Sequence, residues 1–395
     1  MKQIRKIALM AVGDEAWIGG IQYITNILDG LNEAGTQQQL EIHVFKGAGQ
    51  KLYNLDKFSN IQIKIVEIDA VLPPFSVPNR IYWLLQRKLQ GRVYPRLENY
   101  LMKHKYDYVY PATLSDCGGR LNAGSWIADF QYHNFPDGHS KETTIEAERQ
   151  ISFIARKMPK VVLSSHWCES DSYKLFPETK GKAHVMPFTV YIDEKLLDFN
   201  GFDSIRRKYG IEGPFLMVSN LFGAVKNHKT LFEALGILKR KGLVIPLVCT
   251  GNLVNYCKME FTNEILQMIT DAGIRHQLYL LGLIPREDQV TLYRMAVAMV
   301  QPSVHEGWST CVEEAKALGK TLLLSDIDVH KEQYPGNPYF FEALNPEDLA
   351  VKIEQVYTMQ SHNQFPEFER ERASLRAYRM TVKGFGHLFL QIAGA

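Results

Sequence analysis

Hydrophobic and polar positions follow two alternating periods along most of the chain. Short apolar runs, typical of buried strands, alternate with longer stretches in which apolar residues recur every third or fourth position, as on one face of a helix. In the first helical stretch Ile21, Ile24, Leu28 and Leu31 share a face, and Gly35 provides the stop signal. Strands that alternate with helices indicate a parallel sheet covered by helices on both faces.

This alternation occurs once in each half of the chain. In the first half we predict strands at residues 7–11, 41–45, 61–66, 106–110, 126–130, 161–164 and 184–187, and helices at residues 19–34, 144–157 and 167–175. In the second half we predict strands at residues 215–219, 247–250, 277–281, 299–302 and 321–325, and helices at residues 230–241, 258–272, 286–296, 312–318, 346–358 and 376–393.

The pattern therefore predicts an α/β fold with two Rossmann-like, doubly wound parallel-sheet domains. The polar and charged segment 191–213 is interpreted as the connection, so that the N-terminal domain covers residues 1–190 and the C-terminal domain residues 191–375. We expect the two domains to face a central cleft, with a ligand bound between the carboxyl ends of their strands.

Composition narrows the class of protein. Hydrophobic residues are 46% and charged residues 22% of the 395 residues, and the net charge is +2, which predicts a globular protein without a nucleic-acid partner. The five cysteines show no C-x-x-C spacing, which argues against disulfides or a zinc site and favours a reducing compartment. The start imitates a signal peptide, but Asp14 and Glu15 interrupt its apolar run. We therefore predict a first strand and a cytoplasmic protein.

The segment with the most chemical information is QPSVHEGWSTCVEEAKALGK, residues 301–320. It combines a buried strand, a short glycine-containing loop with Glu306, and a helix with Glu314 in its first turns. A helix N-terminus behind a glycine turn favours a phosphate group, and two carboxylates beside it can accept hydrogen bonds from sugar or ribose hydroxyls. The spacing alone is weak, since Glu33 and Glu41 share it, so the strand–loop–helix context carries the inference.

Three other positions are candidates for chemistry, and each has a purely structural alternative. Gly19 and Gly20 open the first helix and let a phosphate approach the backbone, or they form only a tight turn. Lys226 precedes a helix at the carboxyl end of a strand and can neutralise a diphosphate, or it is a solvated loop lysine. His133 follows a strand-like run and contacts a sugar or moves a proton, or it is an ordinary hydrogen-bonded histidine.

Two charged segments have more than one interpretation. Asp326 and Asp328 form a D-x-D that could hold Mg²⁺ in a metal-dependent transferase fold, but a capping or loop role suits their place after the last strands. We therefore predict no metal site and no cofactor. Residues 80–105 carry seven basic residues and one acidic residue, with interleaved apolar ones. This segment is a peripheral membrane contact, a solvated helix face or a site for an anionic acceptor.

Together these segments resemble one family. PSVHEGWSTCVEEAKALGK resembles the E-x7-E signature of the family 4 retaining glycosyltransferases, which have the GT-B fold. VSNLFGAVKNHKTLFEAL, YLLGLIPREDQVTLYRMAVAMVQPS and LLLSDIDVHKEQ also resemble the family, as does WIADFQYHNFP in the first half. The resemblance spans nearly the whole chain and is strongest over residues 215–349. It implies that residues 376–395 form a helix that crosses back to the N-terminal domain.

The resemblance also implies roles for individual residues. Glu306 would contact the donor sugar's hydroxyls, Glu314 the ribose hydroxyls, and Lys226 the leaving diphosphate. Backbone N–H groups of Trp308, Ser309 and Thr310, next to Gly307, would face the diphosphate. Gly19 and Gly20 would approach the donor or its phosphate, and His133 would lie near the reacting sugar. The base would lie near Gly282, Leu283 and Ile284. Many members have an arginine near the place where this chain has Asn220.

By this resemblance the protein is a metal-independent, retaining enzyme that transfers a sugar from a nucleotide-diphosphate sugar, a UDP- or GDP-sugar, to a hydroxyl of a glycan or lipid-linked acceptor. The setting implied is bacterial polysaccharide or glycolipid synthesis in the cytoplasm, at or near the inner face of the membrane. Two alternatives stay open. One is a GT-B-like nucleotide-sugar epimerase, and the other is a catalytically silent subunit that binds a nucleotide-sugar.

Overall fold

A computed structural model of the protein describes residues 5–13, 18–35, 40–47, 50, 55–71, 95–112, 121–135, 140–197, 201–253, 259–337, 339–361 and 368–394. These residues divide into two compact units. Unit 1 contains Met1–His133, Glu142–Val190 and Arg379–Ala395, and unit 2 contains Asn134–Lys141 and Tyr191–Tyr378. The predicted extents of the two domains stay a prediction, and each unit is described here by itself.

Unit 1 is built on parallel strands. Its strands are β1 (Lys6–Met10), β2 (Leu40–Lys46), β3 (Ile61–Glu67), β4 (Tyr108–Tyr110), β5 (Gly124–Ile127), β6 (Lys160–Leu163) and β7 (Ala183–Val185). They form a four-stranded sheet of order β3-β2-β1-β4 and a three-stranded sheet of order β5-β6-β7, and a parallel bridge between Val109 and Ala123 links the two. The helices of this part of the chain are α1 (Ile18–Ala34), α2 (Ile68–Val71), α3 (Pro95–Lys103), α4 (Gln131–Asn134), α5 (Lys141–Lys157) and α6 (His166–Leu175).

Unit 2 contains a single parallel sheet. Its strands are β8 (Leu216–Ser219), β9 (Leu247–Thr250), β10 (Leu278–Gly282), β11 (Ala298–Gln301), β12 (Leu322–Ser325) and β13 (Phe340–Phe341), in the order β10-β9-β8-β11-β12-β13. Its helices are α7 (Phe202–Tyr209), α8 (His228–Arg240), α9 (Met259–Asp271), α10 (Arg286–Met295), α11 (Thr310–Ala317), α12 (Asp328–Gln333), α13 (Pro346–Gln360) and the start of α14 (Phe368–Gly394). Every residue of β8, β9, β11 and β12 is buried, as expected of parallel strands covered on both faces.

The predicted fold class is confirmed: both units are α/β, and all their strands pair in parallel. Several short elements were not predicted, among them α2, α4, α7, α12 and β13. The polar segment 191–213 contains α7, whose amphipathic face buries Phe202 and Ile205 although most of its residues are charged or polar. The structure also adds the two-residue strand β13, which is too short for a periodic signal.

Most of the basic segment at residues 80–105 lies outside the described residues, which resume at α3. No helix in the described part of the chain is both long and apolar enough to cross a membrane. The predicted membrane contact therefore stays a prediction.

Within unit 1, α14 packs closely against α1 through glycine. A Cβ atom added to Gly386 would lie 1.9 Å from the carbonyl oxygen of Gly30, which real structures do not tolerate. Beyond this crossing, Lys160 holds the end of α14, because its Nζ donates to the carbonyl oxygens of Ile392 at 2.7 Å and Ala393 at 3.3 Å. A lysine at a helix C-terminus also offsets the negative end of the helix dipole.

We predict that Gly386→Ala destabilises unit 1, since the new methyl group would force α1 and α14 apart. Overpacking of this kind costs about 1–3 kcal/mol. Gly384→Ala is the matched control, because no atom lies within 4 Å of its added Cβ. That control should keep or raise stability by up to about 1 kcal/mol through helix propensity. Urea unfolding followed by far-UV circular dichroism compares the two, and equal stabilities would contradict the close crossing.

Candidate nucleotide-sugar site

The sheet of unit 2 has a topological switch point between β8 and β11. From β8 the chain proceeds to β9 and β10 on one side, and it then returns to β11, β12 and β13 on the other. The loops that follow β8 and β11 consequently diverge at the carboxyl edge. In open parallel sheets this divergence forms the crevice in which ligands bind.

The loop after β11 carries Glu306 and leads into α11. Gln333, at the end of α12, fixes the last residue before the helix: its Nε2 donates to the Ser309 carbonyl oxygen at 2.8 Å, and the Ser309 N–H donates to Gln333 Oε1 at 3.2 Å. The Ser309 amide is directed to Gln333 in this structure, and its contact with the diphosphate stays a prediction. Gln333 also donates to Glu313 Oε1, so one amide side chain ties α11 to α12.

Glu306 is 7% exposed and pairs with Lys226, whose Nζ lies 2.6 Å from Oε1. Gln301, the last residue of β11, donates to the same oxygen at 2.9 Å. Burial alone would raise the pKa of Glu306, but the neighbouring charge and hydrogen bond of Lys226 outweigh burial and hold the pKa below its usual value. Glu306 is therefore a charged, oriented acceptor rather than a protonated acid.

Glu314, in the second turn of α11, has a cation of its own. Its Oε1 lies 2.5 Å from Nη1 of Arg286, the first residue of α10. Glu314 is nearly buried, whereas 35% of the Arg286 side chain is exposed. Glu306 and Glu314 are thus each neutralised by a basic residue from a different segment at the same sheet edge.

Asn220, near the place where the family resemblance implies an arginine, is a neutral amide. Asn220 is buried, and its Nδ2 donates to Gln301 Oε1 at 2.7 Å. Asn220 is therefore one of the residues that orient Gln301, and Gln301 in turn orients Glu306. This placement gives Asn220 a positioning role rather than a charge-neutralising one.

Two histidines close to this site are buried and uncharged. Burial, aided by Lys226, lowers the pKa of His228 to about 3, and neither ring nitrogen has a hydrogen-bond partner among the described residues. Burial also lowers the pKa of His330 to about 4, although Glu306 opposes this shift. His330 Nδ1 lies 3.0 Å from the carbonyl oxygen of Ser325, which fixes its ring.

The predicted base loop lies after β10. Gly282 has φ 68°, a conformation that favours glycine, and its carbonyl oxygen accepts a hydrogen bond from the Gly251 N–H at 2.8 Å. The adjoining Leu283 is 62% exposed. An exposed leucine beside a glycine turn offers an apolar surface to a planar group, and its contact with a base stays a prediction.

The first-half candidates belong to unit 1. Gly19 and Gly20 lie in the first turn of α1, and residues 14–17 of the predicted loop lie outside the described residues. His133 lies in α4 with its side chain about half exposed, and its Nδ1 is 3.8 Å from Glu148 Oε1. Their predicted roles stay predictions.

Asp326 and Asp328 do not gather metal ligands. Asp326 Oδ2 lies 3.6 Å from Lys331 Nζ, and Asp328 is an exposed residue in the first turn of α12. Over the described residues no group of three histidine, cysteine, aspartate or glutamate side chains is close enough to bind a metal ion.

Arg286, Gln301 and Gln333 were not predicted as site residues. Arg286 carried the same signal as Lys226, since it begins a helix just beyond the carboxyl end of a strand. The two glutamines carried none, because a buried amide in a strand or at a helix end has no spacing rule. Only the three-dimensional contacts show that they orient Glu306 and Ser309.

Comparison with known proteins places this site in a family context. Residues 202–373, which lie within unit 2, match the family model described as glycosyl transferases group 1. A serotype-specific mannosyltransferase, WbdA of Escherichia coli, is 26% identical over 157 residues, which are 39% of this chain. The match spans only 19% of that relative's length.

Solved structures define the fold of the whole chain. A glycosyltransferase from Rickettsia africae aligns with a TM-score of 0.67 and 17% identity, covering 99% of this chain and 97% of its own. Anabaena HepE, solved in complex with UDP and glucose, aligns with a TM-score of 0.64 and 15% identity, covering 99% and 98%. The chain therefore has the GT-B fold.

Burial of His228 predicts that the free energy of unfolding depends on pH. An unfolded imidazole has a pKa of about 6.5, so as the pH falls from that value towards 3 the unfolded state takes up a proton that the folded state does not. The free energy of unfolding should thus fall with pH, by about 2 kcal/mol at pH 5 from this group. His228→Leu should remove that part of the acid dependence.

Urea unfolding at pH 7 and pH 5 measures the effect. The exposed His276→Leu serves as the control and should retain the wild-type pH dependence. An unchanged pH dependence in His228→Leu would show that this imidazole is not held neutral in the folded protein.

Proposed function

We propose that this protein is a retaining glycosyltransferase of the family 4 type, which moves a sugar from a nucleotide-diphosphate sugar to a hydroxyl of a glycan or lipid-linked acceptor. One observation carries the proposal: Lys226 and Glu306 meet at 2.6 Å at the switch point of a glycosyltransferase group 1 domain. A cation for a leaving diphosphate and a carboxylate for sugar hydroxyls are the two groups that such a donor requires.

Different residues of the crevice bind chemically different parts of the donor. Glu306, ionised and oriented by Gln301, accepts hydrogen bonds from the sugar hydroxyls, and Glu314 accepts them from the ribose. Lys226 leaves Glu306 for the diphosphate, which lies at the N-terminus of α11 near Thr310. Leu283 contacts the base. The helix N-terminus adds a favourable field for the phosphate groups.

Transfer itself is a one-step substitution on one face of the sugar. The bond between the anomeric carbon and the leaving phosphate oxygen breaks as the acceptor oxygen bonds to the same carbon, and the acceptor proton passes to a leaving phosphate oxygen. Glu306 has its Oε1 engaged by Lys226 and Gln301, which suits orientation rather than nucleophilic attack. Lys226 offsets the charge that grows on the diphosphate, so the reaction needs no metal ion.

The relatives support a hexose donor and a surface-glycan setting. HepE was solved with UDP and with UDP-glucose, and WbdA is a serotype-specific mannosyltransferase. We accordingly place the donor among UDP- and GDP-hexoses, the acceptor among bacterial polysaccharide or glycolipid intermediates, and the reaction in the cytoplasm beside the membrane. In the first domain, Gly19, Gly20 and His133 are the groups proposed to meet the donor and the acceptor.

The first test is a donor screen. Thermal unfolding with UDP-, GDP-, ADP- and dTDP-hexoses should show one nucleotide class that raises the melting temperature, since a ligand bound to the folded state stabilises it. With that donor and a glycan acceptor, in the presence of EDTA, NMR of the product should show the donor's anomeric configuration. An inverted product, an epimer formed without acceptor, binding without transfer, or loss of activity in EDTA would each contradict the proposal.

The second test is Lys226→Ala. Removing the cation that stabilises the leaving diphosphate should lower kcat by about 10²–10³, the size found when one preorganised donor to a developing charge is lost. Lys229→Ala is the matched control, because Lys229 lies one turn further on and pairs with the exposed Glu264. Equal activity in the two variants would contradict the role of Lys226.

A further inference from the structure

Arg286 is a basic residue at the site that no sequence motif assigned. It begins α10 just beyond the exposed loop after β10, its guanidinium lies 2.5 Å from Glu314, and a third of its side chain is open to solvent. The nearly buried Glu314 pairs with the guanidinium, while the exposed part of Arg286 remains accessible to a ligand. A guanidinium can bind two phosphate oxygens at once, which a lysine cannot.

A continuous chain of hydrogen bonds joins Arg286 to the β8–β11 crevice. Arg286 Nη1 donates to Gln289 Oε1 at 2.8 Å, and Gln289 Nε2 donates to Ser219 Oγ at 2.8 Å. Ser219 is the last residue of β8, and its carbonyl oxygen accepts a hydrogen bond from Cys311 Sγ, at the start of α11. Arg286 is therefore held at the same carboxyl edge as the first turn of the helix that faces the phosphates.

The next residue continues the chain to Lys226. Asn220 donates to Gln301, Gln301 donates to Glu306, and Glu306 accepts from Lys226, so that one network has a cation at each end. No charge stands at Asn220. The second cation reaches the network from a different segment, as Arg286.

Charge balance points in the same direction. With Lys226 alone, the two carboxylates would leave the crevice with a net negative charge, which opposes the approach of a diphosphate. Arg286 brings the four groups to neutrality. When a nucleotide enters, both cations turn from the carboxylates to the phosphates. Glu306 and Glu314 are then available as hydrogen-bond acceptors for hydroxyls.

We propose that Arg286 is the second phosphate-binding cation of the donor site, held on Glu314 until a nucleotide diphosphate binds. This inference rests on the proposed function, because it takes the donor to be a nucleotide-diphosphate sugar. It assigns a binding residue to the diphosphate and makes the Arg286–Glu314 pair a contact that opens on binding.

The test compares how Arg286→Met affects ligands with and without phosphate. UDP, UMP and uridine, and the matching guanine series, are titrated by calorimetry or by competition. Arg286→Met should weaken the diphosphate by about 10–100-fold, the loss expected for a charge-assisted contact. It should change nucleoside binding less than twofold. Arg286→Lys should recover part of the loss, and Arg275→Met, at the opposite end of β10, should bind as the wild type does.

A double variant separates phosphate binding from simple support of Glu314. If Arg286 only neutralised Glu314, then Glu314→Gln would restore diphosphate binding to Arg286→Met, and nucleoside and diphosphate would lose affinity equally. Either of these results, or unchanged diphosphate affinity in Arg286→Met, would overturn the proposed role of Arg286 but not the proposed function. A wild-type protein that binds none of the diphosphates would instead overturn the proposed function.

Discussion

The site depends on the neutralisation of two nearly buried carboxylates by two cations from other loops. Glu306 and Glu314 lie on the loop and helix that follow β11, and neither is stable in a low-dielectric crevice without a partner. Lys226 and Arg286 supply these partners from the segments after β8 and β10. A buried ion pair stabilises a fold only weakly, and removing one partner is costly. We therefore interpret the two ion pairs as serving ligand binding rather than fold stability, for a ligand that carries its own negative charge and hydroxyls.

The parallel sheet explains how these charges come together. Residues 226, 286 and 306 are far apart in sequence, yet each follows the carboxyl end of a strand in one sheet, and such ends share an edge. The switch between β8 and β11 opens a crevice at that edge. The amides of Asn220, Gln301 and Gln333 are buried and hydrogen-bonded, so they fix Glu306 and the α11 N-terminus before any ligand arrives. Preorganisation of this kind lowers the cost of binding.

Much of the fold could be predicted from the sequence, because strand and helix periods are strong in this chain. Strand β9 lies where it was predicted, and α1, α10 and α13 match to within a few residues. The failures have physical causes. Helix α7 was hidden because its charged residues dominate the segment and only one face is apolar, and β13 is too short to show a period. At the site, Lys226, Glu306 and Glu314 could be proposed from their places beside strand ends. Which cation pairs with which carboxylate could not, because the partners are 28 and 80 positions apart in sequence and meet only in the folded protein.

We propose that the crevice between β8 and β11 binds a nucleotide diphosphate by exchanging its internal ion pairs for contacts to the ligand. A crystal structure of the protein with the nucleoside diphosphate selected by the donor screen tests this claim most directly. We expect phosphate oxygens within hydrogen-bond distance of Lys226 Nζ and the Arg286 guanidinium, with ribose hydroxyls on Glu314. A nucleotide bound elsewhere, or one bound while Lys226 stays on Glu306 and Arg286 stays on Glu314, would contradict it.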